Sequence, residues 1–197
     1  LLDLGLKGKV AIVAGGGGDL KGVGNGRAAS ILLAEAGAKV IVVDKNLSLA
    51  NNTVNIIREK GGEAIGIGGD LTQANECKKV VEFSIDNWGR LDILDNNIGI
   101  ASKLSVVDET EEYWDHLMNI NLKPMFLMSK YAIPAMINSG EGGSIVNISS
   151  ISATRPKGLT SYSASKGAVL SLTQAMAVDH GKDSIRESIA FFLVLFI

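Results

Sequence analysis

Short apolar, β-branched runs alternate with longer amphipathic stretches along the chain, a pattern that admits few folds other than parallel strands joined by crossover helices. The runs 10–14, 40–44, 64–68, 93–96 and 144–148 are apolar nearly throughout, as strands covered on both faces must be. Between them, 27–36, 47–60, 74–88, 111–138 and 161–179 carry apolar residues at helical spacing. Gly37, Gly61, Gly62, Gly89 and Gly140 follow the predicted helix ends, where a left-handed cap suits glycine. The expected architecture is an α/β doubly wound parallel sheet with helices on both faces. With 197 residues and no internal repeat, charge block or low-complexity linker, the chain is predicted to form one domain over 1–197.

Composition narrows the function classes. A formal net charge of -2 offers no basic field for nucleic acid or an anionic membrane surface. Cys77 is the single cysteine and is expected to be a buried structural thiol; with only His116 and His180 beside it, no Cys/His metal cluster can be assembled. The longest apolar run, 189–197, is far short of the ~20 residues that cross a bilayer as a helix. The first residues show no basic segment followed by an apolar one, so a cytoplasmic location is expected.

The first predicted strand ends in a turn rich in glycine, from Ala14 through Gly15 to Gly18 and on through Gly22, Gly24 and Gly26, before a helix. Chain without side chains lets backbone N–H groups approach a pyrophosphate, and the helix N-terminus adds unpaired donors. Gly24-Asn25-Gly26-Arg27-Ala28-Ala29 fits G-x-G-x-x-G/A, and Asp44 closes the second strand about 20 residues later, where a carboxylate can accept from ribose hydroxyls. The context is that of a Rossmann-type dinucleotide site. A Walker-type phosphate loop needs Gly-Lys-Ser/Thr, but Lys21 is followed by Gly22 and Val23. A second register, closing on Gly22-Val23-Gly24, also fits; the run into the helix favours Gly24 and Gly26.

Further segments occur in a fixed order: Asp70-Leu71 after the third strand, Asn96-Asn97-Ile98-Gly99 after the fourth, Asn121 on the long helix, Ser149-Ser150 after the fifth strand, and Tyr162-Ser163-Ala164-Ser165-Lys166 on the last helix. Together with the turn, they resemble the short-chain dehydrogenase/reductase family over about residues 6–186. The resemblance implies that Tyr162 is the acid/base, that Lys166 lowers its pKa and binds the nicotinamide ribose, and that Ser150 rather than Ser149 bonds the substrate oxygen. It also implies that Asn121 holds a water leading from Lys166 to solvent. Gly15, Gly24, Gly26, Asp44, Asp70, Leu71, Asn97 and Gly99 become cofactor-binding residues together with Tyr162 and Lys166. Independently of the family, Tyr162 and Lys166 are i and i+4 and share a helix face, and a cation there favours a phenolate that otherwise forms near pH 10. The implied reaction interconverts a secondary alcohol and a carbonyl of a small molecule by hydride transfer, in a homodimer or homotetramer. Asp44 should favour NAD over NADP, whose 2'-phosphate it would repel, with Lys45 and Lys21 as the groups able to soften that repulsion.

The sequence departs from the family pattern in several places. Ala14 replaces threonine, the glycine turn is longer than the common spacing, Ile98 adds volume, and Asp95 puts a charge on the fourth strand. Pro124 is expected to kink the long helix 111–138 beside Asn121. After Ile185-Arg186 neither the family's sixth strand closing on Pro-Gly nor its substrate-covering lobe is expected, and the apolar run 189–197 should make an isolated monomer behave poorly. A nucleotide-binding or assembly protein without catalysis is the alternative that this ending leaves open.

Overall fold

The computed structural model describes residues 4–18, 24–156 and 158–192. Strands β1 (Val10–Ala14), β2 (Lys39–Asp44), β3 (Glu63–Gly68), β4 (Ile93–Asn96), β5 (Gly143–Ser150) and β6 (Ile185–Phe192) form one sheet in the order β3-β2-β1-β4-β5-β6. All neighbours are parallel. The helices are α1 (Asn25–Glu35), α2 (Leu47–Glu59), α3 (Ala74–Trp88), α4 (Glu111–Asn121), α5 (Lys123–Asn138) and α6 (Thr160–His180). The first five expected strands and the Rossmann-type doubly wound arrangement are all present.

Burial explains the near-continuous apolar strands, because the central ones are covered on both sides. Ala11, Val13, Val40 and Val42 pack with Ala34, Ala50, Val54 and Ile57 of α1 and α2. The alternate residues Val10, Ile12, Ile41 and Val43 pack instead with Cys77 and Val80 of α3 and with Met128, Ala132 and Met136 of α5. Cys77 is buried, and burial pushes its thiol up to about 11. The strand order reverses between β1 and β4, so a crevice opens there at the carboxyl ends, where open α/β sheets bind ligands.

Two expectations need correction. The stretch 111–138 is not one kinked helix but α4 and α5, which meet at Leu122. Pro124 lies in the first turn of α5, where its missing N–H is not needed, so the residue starts a helix instead of bending one. The sixth strand is present: β6 pairs with β5 from Gly143↔Ile185 to Ser150↔Phe192. Pro-Gly would terminate such a strand, but forming it requires only β-compatible residues beside an open edge, which Ile185, Ile189 and Phe191 supply. Residues 193–197 of the apolar run lie outside the described residues, as does Lys21.

At the opposite, amino-terminal end of the sheet, Asp92 joins β1 to β4. Its side chain accepts from Val10 N at 2.9 Å, from Arg90 Nε and Nη2 at 2.8 and 2.6 Å, and from Lys9 Nζ at 3.2 Å. Burial opposes its charge, but the Arg90 bonds, then Val10 and Lys9, outweigh it and hold the carboxyl below the usual range. This stabilisation is complete above the unfolded pKa of about 3.9 and is lost as pH falls through the lower folded value. Asp92→Ala should cost about 2–3 kcal/mol at neutral pH, below the range for fully buried pairs because Arg90 and Lys9 are partly exposed. Urea denaturation at pH 7 checks this, and a loss under about 0.5 kcal/mol, the surface-substitution scale, would contradict it.

Candidate active site at the carboxyl ends of the strands

The glycine turn is built by close backbone approach. Gly15 has φ +85° and Gly15 N and Gly16 N both donate to Val43 O, at 2.8 and 3.0 Å. A Cβ on Gly15 would come 2.9 Å from Asn97 O, and one on Gly26 would come 2.2 Å from Gly15 O. Only hydrogen fits at either contact. Two side chains that sequence reasoning did not single out brace this turn. Arg27 donates to Gly17 O through Nε at 3.0 Å and also through Nη2, while Thr53 Oγ1 donates to Gly16 O at 3.0 Å. Arg27 stands within the recognisable motif; Thr53 comes from α2 and has no local signal. Gly24 lies against Gly18, and residues 19–23 between them are outside the described part, so the choice of register rests on the Gly26–Gly15 contact alone.

Asp44, at the end of β2, is oriented by Asn46 N, which donates to its Oδ1 at 2.9 Å. Its Oδ2 would stand 2.5 Å from a Cβ on Gly17, so the carboxylate occupies the space beside the turn that a side chain there would fill. Asp70 accepts from Lys45 Nζ at 2.9 Å and from Thr72 N and Oγ1 at 3.0 and 2.7 Å. Lys45 first, then Thr72, lowers its pKa to about 2. Gly15, Asp44, Asp70, Leu71, Asn97 and Gly99 line one cleft of about 320 Å³. A groove of about 460 Å³ between α3 and α5 contains none of the motif residues and lies on the outer helix surface.

From β4 the cleft floor continues toward α6. Asp95 finds its hydrogen-bond partner in Asn97, whose Nδ2 donates at 3.1 Å, and burial raises this carboxyl to about 6. Ile98 lines the cleft and also packs on the core beneath. At Gly99 a Cβ would meet Lys166 Nζ at 3.3 Å and Asn121 Oδ1 at 3.5 Å, so cleft, lysine and asparagine adjoin. Lys166 is 3% exposed, donates to Ile148 O at 2.8 Å, and lies 5.9 Å from the centre of the Tyr162 ring. Burial brings its pKa down to about 8.

Ser149 Oγ donates to Lys166 O at 2.9 Å, which engages the first serine of the pair in holding α6. Among the described residues Ser150 Oγ only accepts, from Ser152 N at 3.2 Å, which leaves its proton to donate. The Asn121 amide is engaged with Ile100 N, Ile100 O and Ser165 Oγ at 2.8, 2.9 and 3.0 Å. It clamps the loop at Ile100 to α6. A hydrogen-bonded chain not read from the sequence runs from Asn96 Nδ2 to Asn147 Oδ1 (2.8 Å) and from Asn147 Nδ2 to Thr173 Oγ1 (3.0 Å), joining β4, β5 and α6.

A family model described as short chain dehydrogenase matches residues 9–190. The chain belongs to that family. An uncharacterized oxidoreductase of Thermotoga maritima is 40% identical over 182 residues, covering 91% of this chain and 69% of the relative. A short-chain dehydrogenase/reductase structure from Burkholderia xenovorans superposes with a TM-score of 0.93 at 36% identity, over 97% of this chain and 76% of the other. The 7α-hydroxysteroid dehydrogenase complexed with NADH and 7-oxo glycochenodeoxycholic acid gives a TM-score of 0.86 at 34% identity, over 93% and 70% of the two chains. This short-chain dehydrogenase thus matches an oxidoreductase family along nearly all of its own length and about two thirds to three quarters of its relatives'.

Proposed function

We propose that the chain is an NAD-preferring oxidoreductase that interconverts a secondary alcohol and a carbonyl, with Tyr162 as acid/base. The observation that carries this is the position of Lys166, whose ammonium lies against Gly99 of the cleft and beside the Tyr162 ring. It joins the groove suited to a dinucleotide to the proton-transferring group. The neighbour's NADH and 7-oxo steroid support the same class of cofactor and reaction.

The residues fit a dinucleotide on their own evidence, since close backbone contacts keep Gly15 and Gly26 free of side chains where the turn leads into α1. When bound, the nicotinamide supplies or accepts the hydride. Gly15 and the α1 N-terminus would face the pyrophosphate, Asp44 the adenosine ribose, and Asp70 with Leu71 the adenine end. Lys166 would hold the nicotinamide ribose, with its ammonium beside the Tyr162 ring. Tyr162 would take the alcohol proton in oxidation and return it in reduction, while Ser150 donates to the substrate oxygen. Full-chain NADH binding by fluorescence, measured beside reduction of 7-oxo glycochenodeoxycholic acid and cyclohexanone, tests this reading. Binding without turnover of any ketone would favour the non-catalytic nucleotide-binding alternative.

Cofactor preference follows from charge. Asp44 is fixed by Asn46, whereas Lys45 is turned to Asp70 and so does not neutralise its neighbour. A 2'-phosphate would meet this carboxylate with Lys45 engaged elsewhere. NADH should therefore bind about ten-fold or more tighter than NADPH, and Asp44→Ala should close most of that gap by improving NADPH binding. Parallel titrations decide it, and a wild-type preference for NADPH would overturn the assignment. For the oligomer, Met118, Leu122, Phe126 and Leu172 line an open apolar groove between α4/α5 and α6, which supports a second copy packing there.

A further inference from the structure

Helix α6 carries Tyr162 in its first turn, where helices fray most readily. Its own sequence does not secure that end. The residue at the N-cap is Leu159, left-handed at φ 59° and ψ 52°, with no side-chain cap, a conformation leucine keeps only where its surroundings hold it. The missing cap comes from 52 residues away: Glu109, just before α4, accepts from Ser161 Oγ at 2.7 Å and from Ser161 N at 3.2 Å. Ser161 is fully buried. Burial opposes the charge on Glu109, yet the bonds from Ser161 and Ser102 outweigh it and keep the carboxyl below its ordinary pKa. A carboxylate suits this place, because it meets unpaired N–H groups and the positive end of the helix dipole.

The loop that carries Glu109 is held at Ile100 and at Leu104. Asn121 grips Ile100 through both backbone groups, and Thr160 N donates to Leu104 O at 3.3 Å. Asn121 Nδ2 also reaches Ser165 Oγ, which donates to Tyr162 O at 2.8 Å. Tyr162 therefore sits between two supports, Ser165 on the side of Asn121 and Ser161 on the side of Glu109. We propose that Glu109 is a positioning residue for Tyr162, capping the first turn of α6 from a distant loop and thereby fixing the ring and hydroxyl. The catalytic consequence rests on the acid/base reading of Tyr162; the structural coupling does not.

The test uses the full chain with 3-fluorotyrosine incorporated. There are three tyrosines, Tyr113, Tyr131 and Tyr162, so three fluorine resonances are expected, and the one lost in Tyr162→Phe is assigned to that residue. Glu109→Ala should shift or broaden the Tyr162 line, leave the Tyr131 line in place, and speed amide exchange in the first turn of α6 by about ten-fold. Glu109→Gln, whose amide oxygen still accepts from Ser161, should restore most of both signals. NADH affinity should stay within about two-fold, because the dinucleotide groove is built mainly from β1, β2 and β4, and turnover should fall about ten-fold through kcat. An unmoved Tyr162 line in Glu109→Ala, or exchange that rises equally in β1 and α1, overturns the proposal. Loss of NADH binding in the wild type, or full turnover by Tyr162→Phe, instead overturns the functional reading and leaves the fluorine result standing.

Discussion

Tyr162→Phe should lower ketone reduction by about 10²–10⁴-fold while leaving NADH affinity within about two-fold of the wild type. The substitution removes one oxygen from a ring that is 5% exposed and whose face lies 5.9 Å from Lys166 Nζ, so packing and the lysine's position survive. On the proposed reading, what is lost is the proton donor. Lys166 adds a pH signature: burial brings it down to about 8, so in the free enzyme its charge fades as pH rises through that value. On the proposed mechanism reduction draws on the Lys166 proton, and kcat/KM for NADH, which reports the free enzyme, should decline above about pH 8. Absorbance at 340 nm reads both effects, at saturating NADH for turnover and at limiting NADH for the pH profile. A phenylalanine variant within about five-fold of wild type would remove Tyr162 from the mechanism, since general acid catalysis contributes far more.

Much of this candidate site was legible because the motifs that carry the family resemblance sit at the ends of regular elements. Asp44, Asp70, Asn97 and Gly99 follow strands whose apolar runs mark their own limits, and all of them line the same cleft. Helical spacing puts Tyr162 and Lys166 on one face, while their roles came from the family resemblance. The supports were not legible in the same way. Thr53 reaches the glycine turn from α2, Glu109 reaches α6 across 52 residues, and Asn147 joins two strands to a helix. Each depends on tertiary approach, which leaves no periodic trace. The break at Leu122 was hidden for the opposite reason: apolar spacing continues through it, and Pro124 is as compatible with a first turn as with a kink. At β6 the expectation leaned on a missing terminator, whereas the strand follows from the open edge of β5.

The other large effect is expected at Gly26. Its backbone is not left-handed, so the case does not rest on conformational strain but on space. A Cβ there would stand 2.2 Å from Gly15 O, 2.9 Å from Gly15 C and 3.2 Å from Gly16 Cα, all of them main-chain atoms that cannot rotate aside. Gly15 has no room to retreat, because its own Cα faces the carbonyl of Asn97 and its N–H is bonded to Val43 O. Moving α1 away instead would pull Arg27 from Gly17 O. Either adjustment opens the turn that should receive the pyrophosphate. Gly26→Ala is therefore expected to cost about 2–3 kcal/mol of stability, at the upper end for overpacking, and to weaken NADH binding by about 100-fold. Gly181→Ala is the control: it has ordinary helical angles and open space around it, and should change neither property. Thermal unfolding and NADH fluorescence titration separate the two consequences. If Gly26→Ala binds NADH like the wild type, the turn built on Gly15 and Gly26 is not where the dinucleotide sits.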